Sequence, residues 1–200
     1  MMGWLWTALG TAMAGVPASC PGEDTASLIS ARVESAKRTF LELDTAGFEA
    51  SMADLDGLVP CLHTVVAPPE AGGVHLVHGL EAFVARDRPT TRAILQARQP
   101  ADPGFDLEGW LPTAHPLPFA SDYAEDAAPE APTPLEFDRT TSVWVDGVKQ
   151  DHMLKTQPAV LQHGKEGSAV STVLWLPDQP LPEGISFLEP RLTARQLRRL

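Results

Sequence analysis

The chain has 200 residues, 44% of them hydrophobic, and sets 15 basic against 26 acidic residues for a formal net charge of −11. That balance argues against phosphate backbones, and so nucleic acid, and against anionic membranes as main partners. The sequence contains no Asn, so turns that need a positive φ fall to Gly and to Asp-Gly.

Residues 4–18, "WLWTALGTAMAGVPA", are uncharged and end in small residues, with Val16 and Ala18 at the −3 and −1 positions of a cleavage site. The stretch is short for a bilayer span, so residues 1–18 read as a secretory signal peptide, although Met1-Met2-Gly3 supplies no basic n-region. The protein is then exported, periplasmic or envelope-associated. A lipid anchor at Cys20 is the weaker reading, because Pro17 occupies the place where a lipobox carries Leu or a similar residue. No transmembrane segment follows the signal.

Residues 25–43 place Leu28, Ile29, Val33, Ala36, Phe40 and Leu43 on one helical face, and residues 46–62 do the same with Phe48, Met52, Leu55, Val59 and Leu62. The "DTAG" connection at 44–47 is short enough to force an antiparallel hairpin. The start of the first helix then lies beside the end of the second, which brings Cys20 and Cys61 to the same end. In an exported protein such a pair favours a disulfide. The rival is a catalytic or metal-binding thiol, for which neither cysteine has a CxxC partner or an activating neighbour.

After the break "APPEAGG" at 67–73, residues 72–85 carry Leu76, Leu80, Phe83 and Val84 on one stripe. Asp87 caps the next helix, Pro89 sits in its first turn, and Ala93, Ile94 and Ala97 face inward, until the prolines of "QPADPGF" at 99–105 stop it. Gly79, the small residues of the second helix and Pro103 resemble a tetratricopeptide-type unit. His75, His78 and Glu81 stand at steps of three; the donor types suit a transition metal, but the pattern is not HExxH and no strong third ligand is placed. They read as ordinary interhelical or surface histidines, and no metal or cofactor is expected.

Phe105, Leu107, Trp110, Leu111, Leu117 and Tyr123 anchor a segment under the second hairpin and close a helical domain at 19–123. Residues 124–138 are acidic and proline-rich and read as an extended linker across which the two halves fold independently. Residues 139–188 then form a small antiparallel β module, with strands in "TTSVWVDG", "PAVLQHG" and "SAVSTVLWL" and a Gly-bearing loop in "HGKEG". Asp146-Gly147 reads as a β-turn, Gly supplying positive φ and Asp bonding locally, in preference to a catalytic acid or calcium ligand. Residues 189–200 form a basic tail with Arg191, Arg195, Arg198 and Arg199, either frayed or docked on acidic surface.

The strand, Val-Asp-Gly turn and proline-led strand resemble the PEGA-type β module, which follows helical repeats in envelope proteins. The layout over residues 20–185 is similar to that of a set of uncharacterised exported bacterial proteins. The likeness rests on "VPCL" at 59–62, "VHLVHGLEAFVARD" at 74–87, "HPL" at 115–117 and the module at 145–162. It implies architecture and export, with no reaction attached.

The expected fold is therefore α+β: antiparallel, tetratricopeptide-like helical hairpins followed by a small antiparallel β module. GxSxG, P-loop, GxGxxG, HExxH and EF-hand patterns are absent from the sequence, and no enzyme is expected. The expected function is a protein-interaction or scaffold protein of the cell envelope, with a protein partner. The alternative is a cell-wall or polysaccharide binder that stacks glycan on Trp144 and Trp175, which requires those rings to be exposed.

Overall fold

A computed structural model describes residues 20–21, 25–111 and 131–188. The signal segment at 1–18, Leu117, Tyr123, the first part of the linker and the tail at 189–200 lie outside the described residues. The fold is α+β, with helices first and antiparallel sheets after them.

Helix α1 (Thr25–Leu41) buries Ile29, Val33, Ala36 and Phe40 against Phe48, Met52 and Leu55 of α2 (Thr45–Leu58), which tightens into a 3-10 turn at Val59–Cys61. Helix α3 (Pro68–Val84) and helix α4 (Arg88–Ala101) form the second hairpin. Both hairpins turn the same way. Leu43 (φ 59°) and Arg86 (φ 62°) adopt the left-handed conformation, and the following Asp44 and Asp87 accept from the N–H groups of Gly47 and Thr90. Backbone bonds from Asp44 N–H to Thr39 O and from Asp87 N–H to Ala82 O close each helix end.

Periodicity overcounts the inward face. Leu43 is 82% exposed because α1 ends before it, and Leu28 and Val84 are exposed as well. Ile29 and Phe83 take the inward places, and a sequence neighbour points about 100° away on a helix. Helix α3 also starts earlier than its apolar stripe. Pro68 and Pro69 occupy its first turn, where no N–H is needed, and the Glu70 carboxylate accepts from Ala67 N–H at 2.9 Å. Gly79 lets α4 approach closely: a Cβ there would stand 2.8 Å from Leu95 Cδ2. A short helix α5 (Leu107–Trp110) closes the helical end, with Trp110 stacked on Phe40 at 6.3 Å between ring centroids.

Cys20 and Cys61 form a disulfide, with Cα atoms 5.4 Å apart and a sequence separation of 41. By loop-closure entropy a crosslink of this span stabilises the fold by up to about 4 kcal/mol.

Seven strands follow: β1 (Thr133–Phe137), β2 (Thr141–Val145), β3 (Val148–Lys149), β4 (His152–Met153), β5 (Ala159–Lys165), β6 (Ser171–Trp175) and β7 (Ile185–Phe187). They make two antiparallel sheets, ordered β4-β1-β7 and β3-β2-β5-β6, whose facing side chains include Leu135, Val143, Leu161, Trp175 and Ile185. Strand β1 corrects the linker expectation. Leu135 is buried and Phe137 half-buried, while Pro134 and Glu136 point outward, so period-two alternation lies beneath an acidic, proline-rich composition.

Strand β5 has buried residues on both faces. Leu161 belongs to the sheet core, whereas Val160 belongs to the core of the helices. Independent folding of the two halves does not follow from this packing, because they share an apolar core. Val160→Ala should cost roughly 2 kcal/mol, and hydrogen exchange should show the slowest amides of α1–α3 and of β5 losing protection together. A loss confined to the strands would count against the shared core. Reduction of the disulfide should lower the urea midpoint by an amount equivalent to no more than about 4 kcal/mol.

Candidate functional site: the junction between helices and sheet

The connection between α2 and α3 runs beside β5 and β6, and side chains supply the bonds that a ladder would otherwise supply. Gln162 is 0% exposed. Its Oε1 accepts from Val66 N–H at 2.9 Å, and its Nε2 donates to Thr64 O and to Thr172 Oγ1, each at 2.9 Å. The Thr172 hydroxyl donates to Leu62 O at 2.6 Å. Val170 N–H donates to His63 O at 3.0 Å, and His63 Nδ1 lies 3.3 Å from Val170 O. A buried amide is tolerated only when its groups are paired, and both donors and the acceptor of Gln162 are paired here.

The second contact joins α3 to the β2–β3 turn. Asp146 (φ 51°) and Gly147 (φ 79°) connect Val145 to Val148 as a two-residue hairpin of the kind that needs positive φ at both positions. Asp146 Oδ1 accepts from Val160 N–H at 2.8 Å and from Nε2 of the fully buried His75 at 2.7 Å. His75 Nδ1 has no partner among the described residues. The proton belongs on Nε2, which faces a carboxylate. Gly147 packs against the chain just before α3, where a Cβ would run into the Val66 carbonyl oxygen and stand 2.9 Å from Pro68 N.

A groove of about 230 Å³ lies between α1, α3 and α4. Ile29, Val33 and Leu76 contribute apolar lining, and Lys37, Arg98 and Phe105 also line it. The Arg98 guanidinium lies 3.9 Å from the Phe105 ring centroid, and its Nη2 donates to Asp102 Oδ2 at 3.2 Å. Its Nε has no partner among the described residues. Burial pushes the Arg98 pKa down, with Asp102 opposing.

The residues singled out from the sequence thus separate. Cys20 and Cys61 join in the disulfide, and Asp146 and Gly147 form the turn. His75 and His78 diverge: His75 meets Asp146, while His78 sits between Glu81 and Asp56 at 3.3 and 3.4 Å. Among the described residues no group of three or more His, Cys, Asp or Glu could hold a metal ion. Trp175 corrects the idea of a paired aromatic platform. It is 2% exposed, lies edge-on to Phe187 at 5.9 Å, and donates its indole N–H to Gln179 O. Trp144 is half-buried, with Lys149 Nζ 6.0 Å from its ring centroid. Sequence reading missed Gln162, whose only signal is a polar side chain among the buried residues of β5, and Thr172, a buried polar residue of β6.

Two glycines separate turn geometry from docking. Gly167 (φ 78°) has open space where a Cβ would go, so Gly167→Ala should cost only the left-handed penalty, about 1 kcal/mol. Gly147→Ala adds overpacking against the α2–α3 connection and should cost at least about 1–3 kcal/mol more by urea denaturation. Equal losses would mean that the junction does not need this close approach.

Compared with protein-family models, with curated proteins and with solved structures, the chain matches none.

Proposed function

We propose that this chain is a non-enzymatic protein-interaction or scaffold protein of the bacterial cell envelope, and that the groove between α1, α3 and α4 receives an extended segment of a protein partner. The observation that carries this reading is the groove itself: Ile29, Val33 and Leu76 in its lining, with the ion pairs Lys37–Glu34 at 2.7 Å and Arg98–Asp102 at 3.2 Å among its charged residues. Apolar surface gives affinity and fixed charges at its edge give register. The polar residues of the junction support a structural role, since Gln162, Thr172 and Asp146 Oδ1 are committed to holding backbone.

The disulfide supports export, because such bonds persist in oxidising compartments. No described helix is long and apolar enough to cross a membrane. The likeness to tetratricopeptide hairpins followed by a PEGA-type module points the same way. A cell-wall or polysaccharide binder stacking sugars on Trp144 and Trp175 loses its platform to the burial of Trp175.

A photo-crosslinking residue at Ser30, which lines the groove, should yield discrete protein adducts in envelope preparations of the native host. The same probe at the exposed Glu49, on α2, should not. Identical adducts from both positions, or none from Ser30, would overturn the groove as the binding face.

A further inference from the structure

A second cavity, of about 250 Å³, opens where the end of α4 meets β2, β4 and the start of β5. Pro158, Met153 and Leu154 give it apolar walls, and Gln150 and Gln157 bring side-chain amides. Asp146 stands in its lining, with its side chain 16% exposed. Both bonds that the Asp146 carboxylate accepts, from His75 and from Val160, fall on Oδ1; Oδ2 has no partner among the described residues. No Lys or Arg is among the lining residues. His152 also lines the cavity, and its Nδ1 is engaged 3.0 Å from Asp151 Oδ1.

Asp146 Oδ2 is an anionic acceptor in the lining of a partly enclosed cavity, and among the described lining residues no Lys or Arg pairs with it. A cation delivered there gains a charge-assisted hydrogen bond, and the amide oxygens of Gln150 and Gln157 can accept its remaining N–H groups. The apolar walls suit the methylene stem of a long basic side chain. The volume lies below the roughly 300–1,000 Å³ of small-molecule sites and fits one side chain better than a cofactor.

We infer that this cavity binds the ammonium or guanidinium end of a Lys or Arg side chain presented by a protein partner, with Asp146 Oδ2 as the anionic acceptor. That the cation belongs to a protein rests on the scaffold reading; the cation site itself does not.

The test uses the disulfide-bonded, ¹⁵N-labelled protein titrated with Nα-acetyl-lysine methylamide, Nα-acetyl-arginine methylamide and the neutral Nα-acetyl-norleucine methylamide. The two cations should give saturable shifts at the Gly147 and Val160 amides, and the norleucine compound should give none. Asp146→Asn keeps a residue that tolerates the left-handed turn and should weaken binding by at least about tenfold. Gln157→Lys puts a charge in the cavity lining without touching the His75–Asp146 contact, and should weaken binding at least as much while leaving the rest of the spectrum native. This variant decides the matter if Asp146→Asn fails to fold. No saturable shift in the wild type, an equal response to norleucine, or unchanged binding in folded Gln157→Lys would overturn the assignment. Shifts that persist while Ser30 yields no adduct would remove the groove reading and leave the cation site standing.

Discussion

The structure depends on a single buried amide. Gln162 holds the backbone of residues 64 and 66 from the middle of β5, and through Thr172 it reaches residue 62. A connection between two helical hairpins would ordinarily satisfy its polar backbone with water. Here it lies against a sheet, and its N–H and C=O groups must find partners within the protein. Side chains and the Val170 N–H provide them, so the α2–α3 connection serves the helices as a link and the sheet as a neighbour.

This arrangement explains why the other fixed points gather along the same stretch. The disulfide enters at Cys61, the Gln162 bonds cover residues 64 and 66, Gly147 packs on residues 66–68, and His75 reaches Asp146 from α3. Each polar contact among these costs little when complete and a great deal when half removed, because a buried polar group without a partner loses its hydration for nothing. Apolar burial from Val160 adds non-directional attraction, and the polar bonds choose one register for it.

The helical hairpins were legible because their apolar residues recur at helical spacing, and the turns because Asp caps and Asp-Gly have local chemistry. The cysteine pairing followed from hairpin geometry, and the structure bears it out. Strand β1 was hidden because Pro134 and Glu136 dominate its composition while Leu135 and Phe137 supply its alternation. The short strands β3, β4 and β7 are only two or three residues long, too few for any periodicity to register. The groove and the second cavity were not legible at all, since each gathers residues from distant elements. His75 read as an ordinary interhelical or surface histidine; it is fully buried, its Asp146 partner lies 71 positions away, and no local pattern encodes that contact.

The crosslink also sets the route by which mechanical tension crosses the molecule. It joins Cys20, ahead of α1, to Cys61, next to Leu62, whose carbonyl accepts from Thr172 in the sheet. Tension applied to the chain ahead of Cys20 therefore bypasses the first hairpin and arrives at the α2–α3 connection. The residues enclosed by the crosslink contribute no extension while the bond is intact.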